Sequence, residues 1–401
     1  MHSPVAHLWK EAIDKELESI HKNGTWEIVN SLPPGRQPID CKWIFKRKLR
    51  PDGSVDRYKA RLVAKEYSQQ FGVDYDQTFA PVAKFTSIRA ILSIAAILDL
   101  EIHQMDVKCA FLNGDLEEEL YMTVPEGVKT PTEGRFCRLQ RSLYGLKQSP
   151  RCWYARIDTF LTRDQGFMCL ESDHAIYVRK TDTLIIVAIY VDDIIIAGDS
   201  TSVRDVKAAL SQTFEMTDCG ELSYFLGIQV RRNRPKKEIT ISQCHFIEQI
   251  LQRFGMTDAK PVATPLDVSI KLQAATDNTS TVDTTIFRQT LGSFMYTMIG
   301  TRPDLAAAIS IISQFSANPS DEHFRAAKRI LRYLKKTASY KLHLGAFPDD
   351  NPTTQNIQLI GYSDASWGDD LSTRRSTSGY VFFLSKGPIS WSSKKQATVA
   401  T

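Results

Sequence analysis

Apolar residues recur at helical spacing in some stretches of the chain and at strand spacing in others. Residues 1–40 read as a polar helix followed by a turn-rich stretch ending at Leu32-Pro-Pro-Gly35. Residues 41–65 read as two strands around a turn at Pro51-Asp52-Gly53, where Pro and Gly supply the turn geometry. Ile88, Ile91, Leu92, Ala95 and Ala96 have the spacing of a helix over residues 87–98, and a strand-like run then leads to Asp106. Ser149 before Pro150 predicts a helix start, with Ser as cap and Pro in the first turn, and with Trp153, Ile157, Phe160 and Leu161 as the buried stripe. Residues 175–179 and 184–196 read as strands, the second folding back at Val191-Asp192-Asp193. A helix over about 202–214 places Val203, Val206, Leu210 and Phe214 on one face. Residues 262–285, rich in Thr, Ala, Asp and Ser, read as a linker or long loop. A helical region spans about 287–336, and short strands and turns return from 357, with no internal repeat.

The 401 residues are enough for two or three domains, and 42% hydrophobic with 24% charged positions excludes global disorder. No apolar run reaches the ~18 residues that span a bilayer; the most apolar stretch, 184–197, carries Asp192 and Asp193 in its middle. The N-terminus lacks a basic-then-apolar leader, which points to a reducing intracellular setting. Seven cysteines without a Cys-x-x-Cys pair argue against a disulfide framework or structural zinc. A net charge of only +4 means that a polyanion must be held by local basic clusters. Two exist. Lys42, Lys46, Arg47, Lys48, Arg50, Arg57, Lys59, Arg61 and Lys65 face only Asp52 and Asp56. Arg325, Lys328, Arg329, Arg332, Lys335 and Lys336 flank an apolar stripe of Phe324, Ala327, Leu331 and Leu334. The second cluster is consistent with tracking a nucleic-acid backbone and equally with a solubilising helix face.

The sharpest chemical feature is Ile189-Tyr-Val-Asp-Asp-Ile194, two adjacent acids inside an apolar, strand-forming run. Like charges crowded at a turn repel, and both ionise readily only with a cation between them. Oxygen donors without neighbouring His or Cys suit Mg²⁺ or Mn²⁺. A solvated turn is the plainer reading of an Asp pair, and the apolar arms weigh against it. Asp106, closing its strand, is weak evidence alone. Paired with Asp192 it suggests two ions clamping the attacking and leaving oxygens of a phosphoryl transfer, with Asp193 more loosely engaged.

Tyr190-Val-Asp-Asp193 resembles the catalytic box of reverse transcriptases. Met105-Asp-Val-Lys-Cys-Ala-Phe-Leu-Asn-Gly-Asp-Leu-Glu-Glu-Glu119 is similar to the first acidic motif of copia-type (pseudoviral) retrotransposon polymerases. So are Arg57-Tyr-Lys-Ala-Arg-Leu-Val-Ala-Lys65, Ser142-Leu-Tyr-Gly-Leu-Lys-Gln-Ser-Pro-Arg151 and Tyr224-Phe-Leu-Gly-Ile-Gln229, in the family's order. The resemblance covers nearly the whole chain. It implies an α+β fold: a right-hand polymerase of fingers, palm and thumb, a connection region and a partial ribonuclease H-like α/β fragment. The implied divisions are an N-terminal helical extension (1–24), fingers and palm (25–220), primer-grip hairpin and thumb (221–265), linker and connection (266–356) and a truncated ribonuclease H-like start (357–401).

The resemblance also implies roles. Asp106, Asp192 and Asp193 match the metal-binding acids. Lys59 and Arg61 match side chains that hold the incoming triphosphate, and Phe111 matches the residue that excludes a ribose 2′-hydroxyl. Gly145, Lys147 and Gln148 match a loop lying against nucleotide and template. Tyr190, Phe225, Leu226, Gly227, Arg231 and Arg232 match primer and template contacts. The expected cofactors are two Mg²⁺ (or Mn²⁺) ions. The expected partners are an RNA template, a DNA primer, the RNA–DNA hybrid, deoxynucleoside triphosphates and the element's other Pol and capsid products, in the cytoplasm within a virus-like particle and with no membrane.

Gly361-Tyr-Ser-Asp-Ala-Ser-Trp367, Arg374-Arg-Ser-Thr-Ser-Gly-Tyr380 and Ile389-Ser-Trp-Ser-Ser-Lys-Lys-Gln396 resemble the opening strands of ribonuclease H, with Asp364 as its first acid and Ser366 where the family usually has Asp. The remaining acids of that fold have no counterpart before Thr401, so hybrid-RNA cleavage is expected to be absent and residues 358–401 to be poorly packed. The rival expectations are a catalytically inactive nucleic-acid-binding remnant of a degraded element and, more weakly, a generic metal-dependent phosphotransferase.

Overall fold

The computed structural model describes residues 5–49, 54–128, 135–267, 269–270, 272–274, 282–346, 357–370 and 372–399. The turn expected at Pro51-Asp52-Gly53 lies outside the described residues, as does much of the 262–285 stretch. In chain order the first elements are α1 (Ala6–Lys22), β1 (Trp26–Val29), β2 (Cys41–Leu49), β3 (Val55–Ala64), α2 (Phe85–Ile97) and β4 (Glu101–Val107). Then come β5 (Asp115–Thr123), β6 (Phe136–Arg141), α3 (Ser149–Thr159), β7 (Met168–Leu170), β8 (Asp173–Lys180), β9 (Leu184–Tyr190) and β10 (Asp193–Gly198). They are followed by α4 (Ser200–Thr213), β11 (Met216–Glu221), β12 (Tyr224–Phe225), β13 (Ile228–Asn233), β14 (Glu238–Ser242) and α5 (Cys244–Arg253). The last are α6 (Thr284–Gly300), α7 (Ala306–Ser313), α8 (Asp321–Lys336), β15 (Leu342–Gly345), β16 (Leu359–Ala365), β17 (Thr377–Leu384) and β18 (Gly387–Lys395).

The chain divides into two compact units that are not contiguous in sequence. The first comprises Met1–Ala83, His103–Ile196 and Thr201–Gly220; the second comprises Lys84–Ile102, Ala197–Ser200 and Glu221–Thr401. The expected fingers-and-palm span of 25–220 is therefore interrupted, because α2 belongs to the second unit.

The first unit is built on a six-stranded sheet ordered β11-β4-β10-β9-β8-β7. β9 and β10 are continuous apolar runs because they are buried almost throughout. Ile185, Val187, Ile189, Ile194 and Ile196 share a core with Trp153, Ile157 and Phe160, and with Val203, Val206, Leu210 and Phe214 of α4. The sheet β1-β6-β5 is absent from the sequence reading. β5 alternates exposed and less exposed positions, but its Glu117-Glu-Glu119 run hides the period. The hairpin of β2 and β3 pairs Lys46 with Lys59 and Ile44 with Arg61. Helix α1 packs on it through Trp9, edge-on to Phe45 at 5.2 Å and to Tyr58 at 4.5 Å, and Ile20 enters a core with Leu62, Leu120 and Leu143. The N-terminal helix is thus part of this unit rather than an extension to it. Ser149 does not cap α3; its hydroxyl donates instead to the Leu143 carbonyl at 2.6 Å.

In the second unit, α5 to α8 close a core around Ile247, Phe287, Phe294, Leu305, Ile330 and Leu334. Val262, Leu266 and Leu272 pack against it, so the start of the expected linker is anchored. Arg329 reaches Thr264 Oγ1 at 3.0 Å and Arg332 reaches the Lys260 carbonyl at 2.6 Å, which removes two arginines of α8 from the free basic face. A second sheet runs β12-β13-β14-β15, and a third β16-β17-β18.

The third sheet is better anchored than its sequence suggests. Leu359, Tyr362 and Trp367 are exposed, but Leu384 and Ile389 are buried. Arg89 of α2 is only 4% exposed. Its guanidinium donates to the carbonyls of Ile389 (2.7 Å), Ile299 (2.6 Å) and Gly300 (3.0 Å) and lies 4.0 Å from the centre of the Trp391 ring. Glu238 accepts from Lys386, and a Cβ on Gly387 would lie 2.4 Å from the His343 carbonyl, so β18 fits closely here. Arg89→Met leaves these buried carbonyls unpaired and should lower the unfolding free energy by about 2–4 kcal/mol in urea titrations. In hydrogen exchange of the wild type, amides of β18 should be well protected; free exchange there would contradict this packing.

Candidate active site

Strand β4 and the β9–β10 hairpin place the three aspartates. β4 and β10 are neighbours in the sheet, and the Val107 N–H donates to the Asp192 carbonyl at 2.8 Å. The turn before Asp192 holds Val191 at φ +59°, a left-handed backbone that a β-branched residue adopts only under strain. Trp153 Nε1 donates to the Val191 carbonyl at 2.7 Å and pins that turn to α3. Gln104, two residues before Asp106 on β4, donates through Nε2 to Asp193 Oδ1 at 2.8 Å.

The carboxylates feel one another. Burial, and then the charge of Asp192, raise the pKa of Asp106, while Lys59, Arg57 and Lys48 act in the opposite direction. Burial raises Asp193 as well; the Gln104 hydrogen bond opposes this, and Asp192 and Asp106 add to it. Among the described residues no three His, Cys, Asp or Glu side chains are arranged to hold a metal ion. Asp193 is instead engaged by Gln104. The donor set still fits a divalent cation: hard oxygens whose mutual repulsion a cation relieves. Cys219 on β11, exposed, is near enough to sense Asp106 and Asp193; burial first, and then those charges, push its thiol pKa up.

Around the carboxylates lies an aromatic and basic cluster. Tyr144 stands edge-on to Phe111, with ring centroids 5.2 Å apart, and the Arg61 guanidinium lies 5.1 Å from the centre of the Tyr144 ring. The Ser142 hydroxyl donates to the Phe111 carbonyl and fixes that segment. Arg61 Nε is buried without a hydrogen-bond partner. Lys59 has its pKa lowered, by burial first and then by Arg61.

The loop at 145–148 departs from expectation. Gly145 has φ +93°, and a Cβ there would lie 2.3 Å from the Ala64 carbonyl, so the close approach it permits is to β3. Gln148 is fully buried, accepting from Gln69 Nε2 at 3.0 Å and donating to the Asp74 carbonyl at 2.8 Å. It clamps the 69–75 loop rather than presenting its amide outward. Lys147 donates through Nζ to the Tyr75 hydroxyl at 3.1 Å.

In the second unit, Phe225 is buried, and Leu226 and Gly227 form a left-handed turn. Arg231 is exposed. Arg232 is not a free cation. It bonds Asp99 at 2.7 Å and the carbonyls of Leu100 and Ala95, while Arg234 bonds Asp99 at 2.8 Å and Glu101 at 2.9 Å. Much of the expected basic tip is therefore an anchor between β13 and the α2–β4 turn. Tyr190 is partly buried at the end of β9. Asp364 is exposed on β16, its Oδ1 accepting from the Ala365 N–H at 2.8 Å.

The sequence profile described as reverse transcriptase (RNA-dependent DNA polymerase) matches residues 23–268, a span holding both carboxylate segments, the basic hairpin and the turn at Leu226. The chain belongs to the reverse transcriptase family. It is 43% identical, over 97% of its length, to the retrovirus-related Pol polyprotein from transposon TNT 1-94 of Nicotiana tabacum, and 41% identical, over 98%, to that from transposon RE2 of Arabidopsis thaliana. It spans only 29% and 26% of those polyproteins. A foamy viral protease-reverse transcriptase solved with double-stranded DNA matches 96% of this chain and 56% of its own, at 14% identity and a TM-score of 0.46.

Gln104, Tyr144, Gln69 and Tyr75 escape a reading based on motifs alone. Tyr144 and Gln104 stand inside or beside quoted motifs, but only the fold shows what they touch. The raised carboxyl groups set a sign. A raised folded-state pKa penalises the folded protein once pH climbs above the carboxyl range, and the penalty vanishes in acid, where folded and unfolded groups are both protonated. Asp106→Asn and Asp193→Asn should each raise the melting temperature near pH 7 in a chelator, with the gain fading toward pH 3. A gain that persists or grows in acid would contradict the repulsion.

Proposed function

We propose that this chain is the polymerase portion of a retrotransposon Pol polyprotein and synthesises DNA on an RNA template. The observation that carries the reading is the closeness of Asp106 to Asp192, with Lys59 acting on Asp106 and the Phe111–Tyr144 aromatic pair beside them. The pairing of β4 with β10 and the Val107–Asp192 hydrogen bond support the closeness of the two acids.

Asp106 and Asp192 would hold Mg²⁺ (or Mn²⁺), with Asp193 released from Gln104 or remaining behind them. Two such ions, when bound, supply a lowered pKa for the primer 3′-hydroxyl and neutralise charge on the departing pyrophosphate. Arg61 offers a planar fork to the triphosphate oxygens and Lys59 a point charge, and Lys59 also opposes the rise of the Asp106 pKa. Phe111, braced by Tyr144 and by the Ser142 bond to its carbonyl, would exclude a ribose 2′-hydroxyl and so favour deoxynucleotides. The turn at Leu226–Gly227 and the exposed Arg231 contact primer and template. Gln148 and Arg232 act only by holding the loop and the hairpin in place. The RNA template, DNA primer and other products of the same polyprotein are the partners this reading implies.

Primer extension on an RNA template with deoxynucleotides and Mg²⁺ tests the assignment. The wild type should extend, and Asp192→Asn should lose activity by at least about a hundredfold. Wild-type binding to primer–template without extension would identify an inactive remnant. Phe111→Ala should raise the use of ribonucleotides relative to deoxynucleotides by about tenfold or more, read from single-nucleotide kcat/KM ratios.

A further inference from the structure

The β12–β13 hairpin turns through Leu226 at φ +47° and Gly227 at φ +75°. Two-residue hairpin loops with positive φ at both positions normally use Asn-Gly or Gly-Gly, because a side chain at the first position is strained there. Leucine is an unfavourable choice, so something else must hold the turn. That support comes from α6. The Tyr296 hydroxyl donates to the Leu226 carbonyl, and a Cβ added to Gly227 would lie 2.5 Å from the same hydroxyl oxygen. Tyr296 is itself fixed. Its ring stands edge-on to Phe246 at 4.6 Å, and its carbonyl accepts from Gln243 Nε2 at 3.3 Å. The buried Gln243 in turn accepts from Thr301 Oγ1 at 2.8 Å. The hydrogen bonds run from the end of α6 through Gln243 and Tyr296 to the hairpin turn. Beside that turn, Tyr224 is 49% exposed while Phe225 is buried.

We infer that Tyr296 is a positioning residue for primer binding: its phenol sets the strained Leu226–Gly227 turn, and through it the surface that the hairpin offers to a primer strand. This rests on the reading that the hairpin contacts primer. The strain at Leu226 is kept because the turn's shape matters, and Tyr296 supplies the bond that keeps it. The residue acts through the hairpin and touches no substrate.

Tyr296→Phe in the full chain keeps the ring against Phe246 and removes only the hydroxyl. Steady-state primer extension should show the KM for primer–template rising about three- to tenfold, as expected for losing one hydrogen bond. kcat and the KM for deoxynucleotide should move by less than about twofold, with the active fraction by active-site titration unchanged. An unchanged primer–template KM, or a fall in active fraction that accounts for the whole loss, would overturn the inference. Tyr224→Ala separates the two layers of the argument. If it raises the primer–template KM while Tyr296→Phe does not, only the role of Tyr296 fails. If it leaves that KM unaltered, the primer-contact reading fails and the inference falls with it.

Discussion

Carboxylates brought together in a folded protein repel one another, and the aspartates of the first unit meet that cost. Strand β4 and the turn before β10 bring Asp106 close to Asp192; burial first, and then the Asp192 charge, raises the Asp106 pKa. The protein offsets part of the repulsion with Lys59, Arg57 and Lys48 and quiets Asp193 with the Gln104 amide. The turn feeding the pair stores strain as well: a valine held left-handed costs about 1–3 kcal/mol. Trp153 and the Val107 amide, both bonded to this turn, keep it in place. Such an arrangement is unfavourable in isolation, and a cation between the carboxylates would relieve it.

The basic residues sort into two kinds. Arg232, Arg234, Arg329 and Arg332 spend their donors on carbonyls, hydroxyls and acids of their own unit. They hold a hairpin and a connecting segment and have little left for phosphate. Arg89 is the other kind, a buried cation with no acid beside it among the described residues. Burial lowers its pKa to about 9, and carbonyl dipoles and the Trp391 ring stand in for a counter-charge.

The sequence was legible where a single local rule dominated. Ile185 to Ile196 read as a folded-back strand because burial on both sides demands continuous apolar residues, and Val203, Val206 and Leu210 read as a helix face for the same reason. β5 was hidden because its edge of the sheet faces water through a run of glutamates. The closeness of Asp106 to Asp192 and Asp193 was legible by resemblance and by the improbability of Asp-Asp in an apolar run. The roles of Gln148, Gly145 and Arg232 were not, since each depends on partners far away in sequence: Gln69 and Asp74, Ala64, and Asp99. No periodicity encodes contacts of that kind. Nor does it reveal that α2 belongs with residues 221–401, because helix assignment is local and unit membership is not.

Asp106 and Asp192 are expected to bind a divalent cation jointly. Titrating Mn²⁺ into the protein without nucleic acid, and following free Mn²⁺ by electron paramagnetic resonance, measures this without relying on turnover. Saturable binding in the wild type should be lost in both Asp106→Asn and Asp192→Asn. Binding of equal strength in the wild type and in either variant would contradict it.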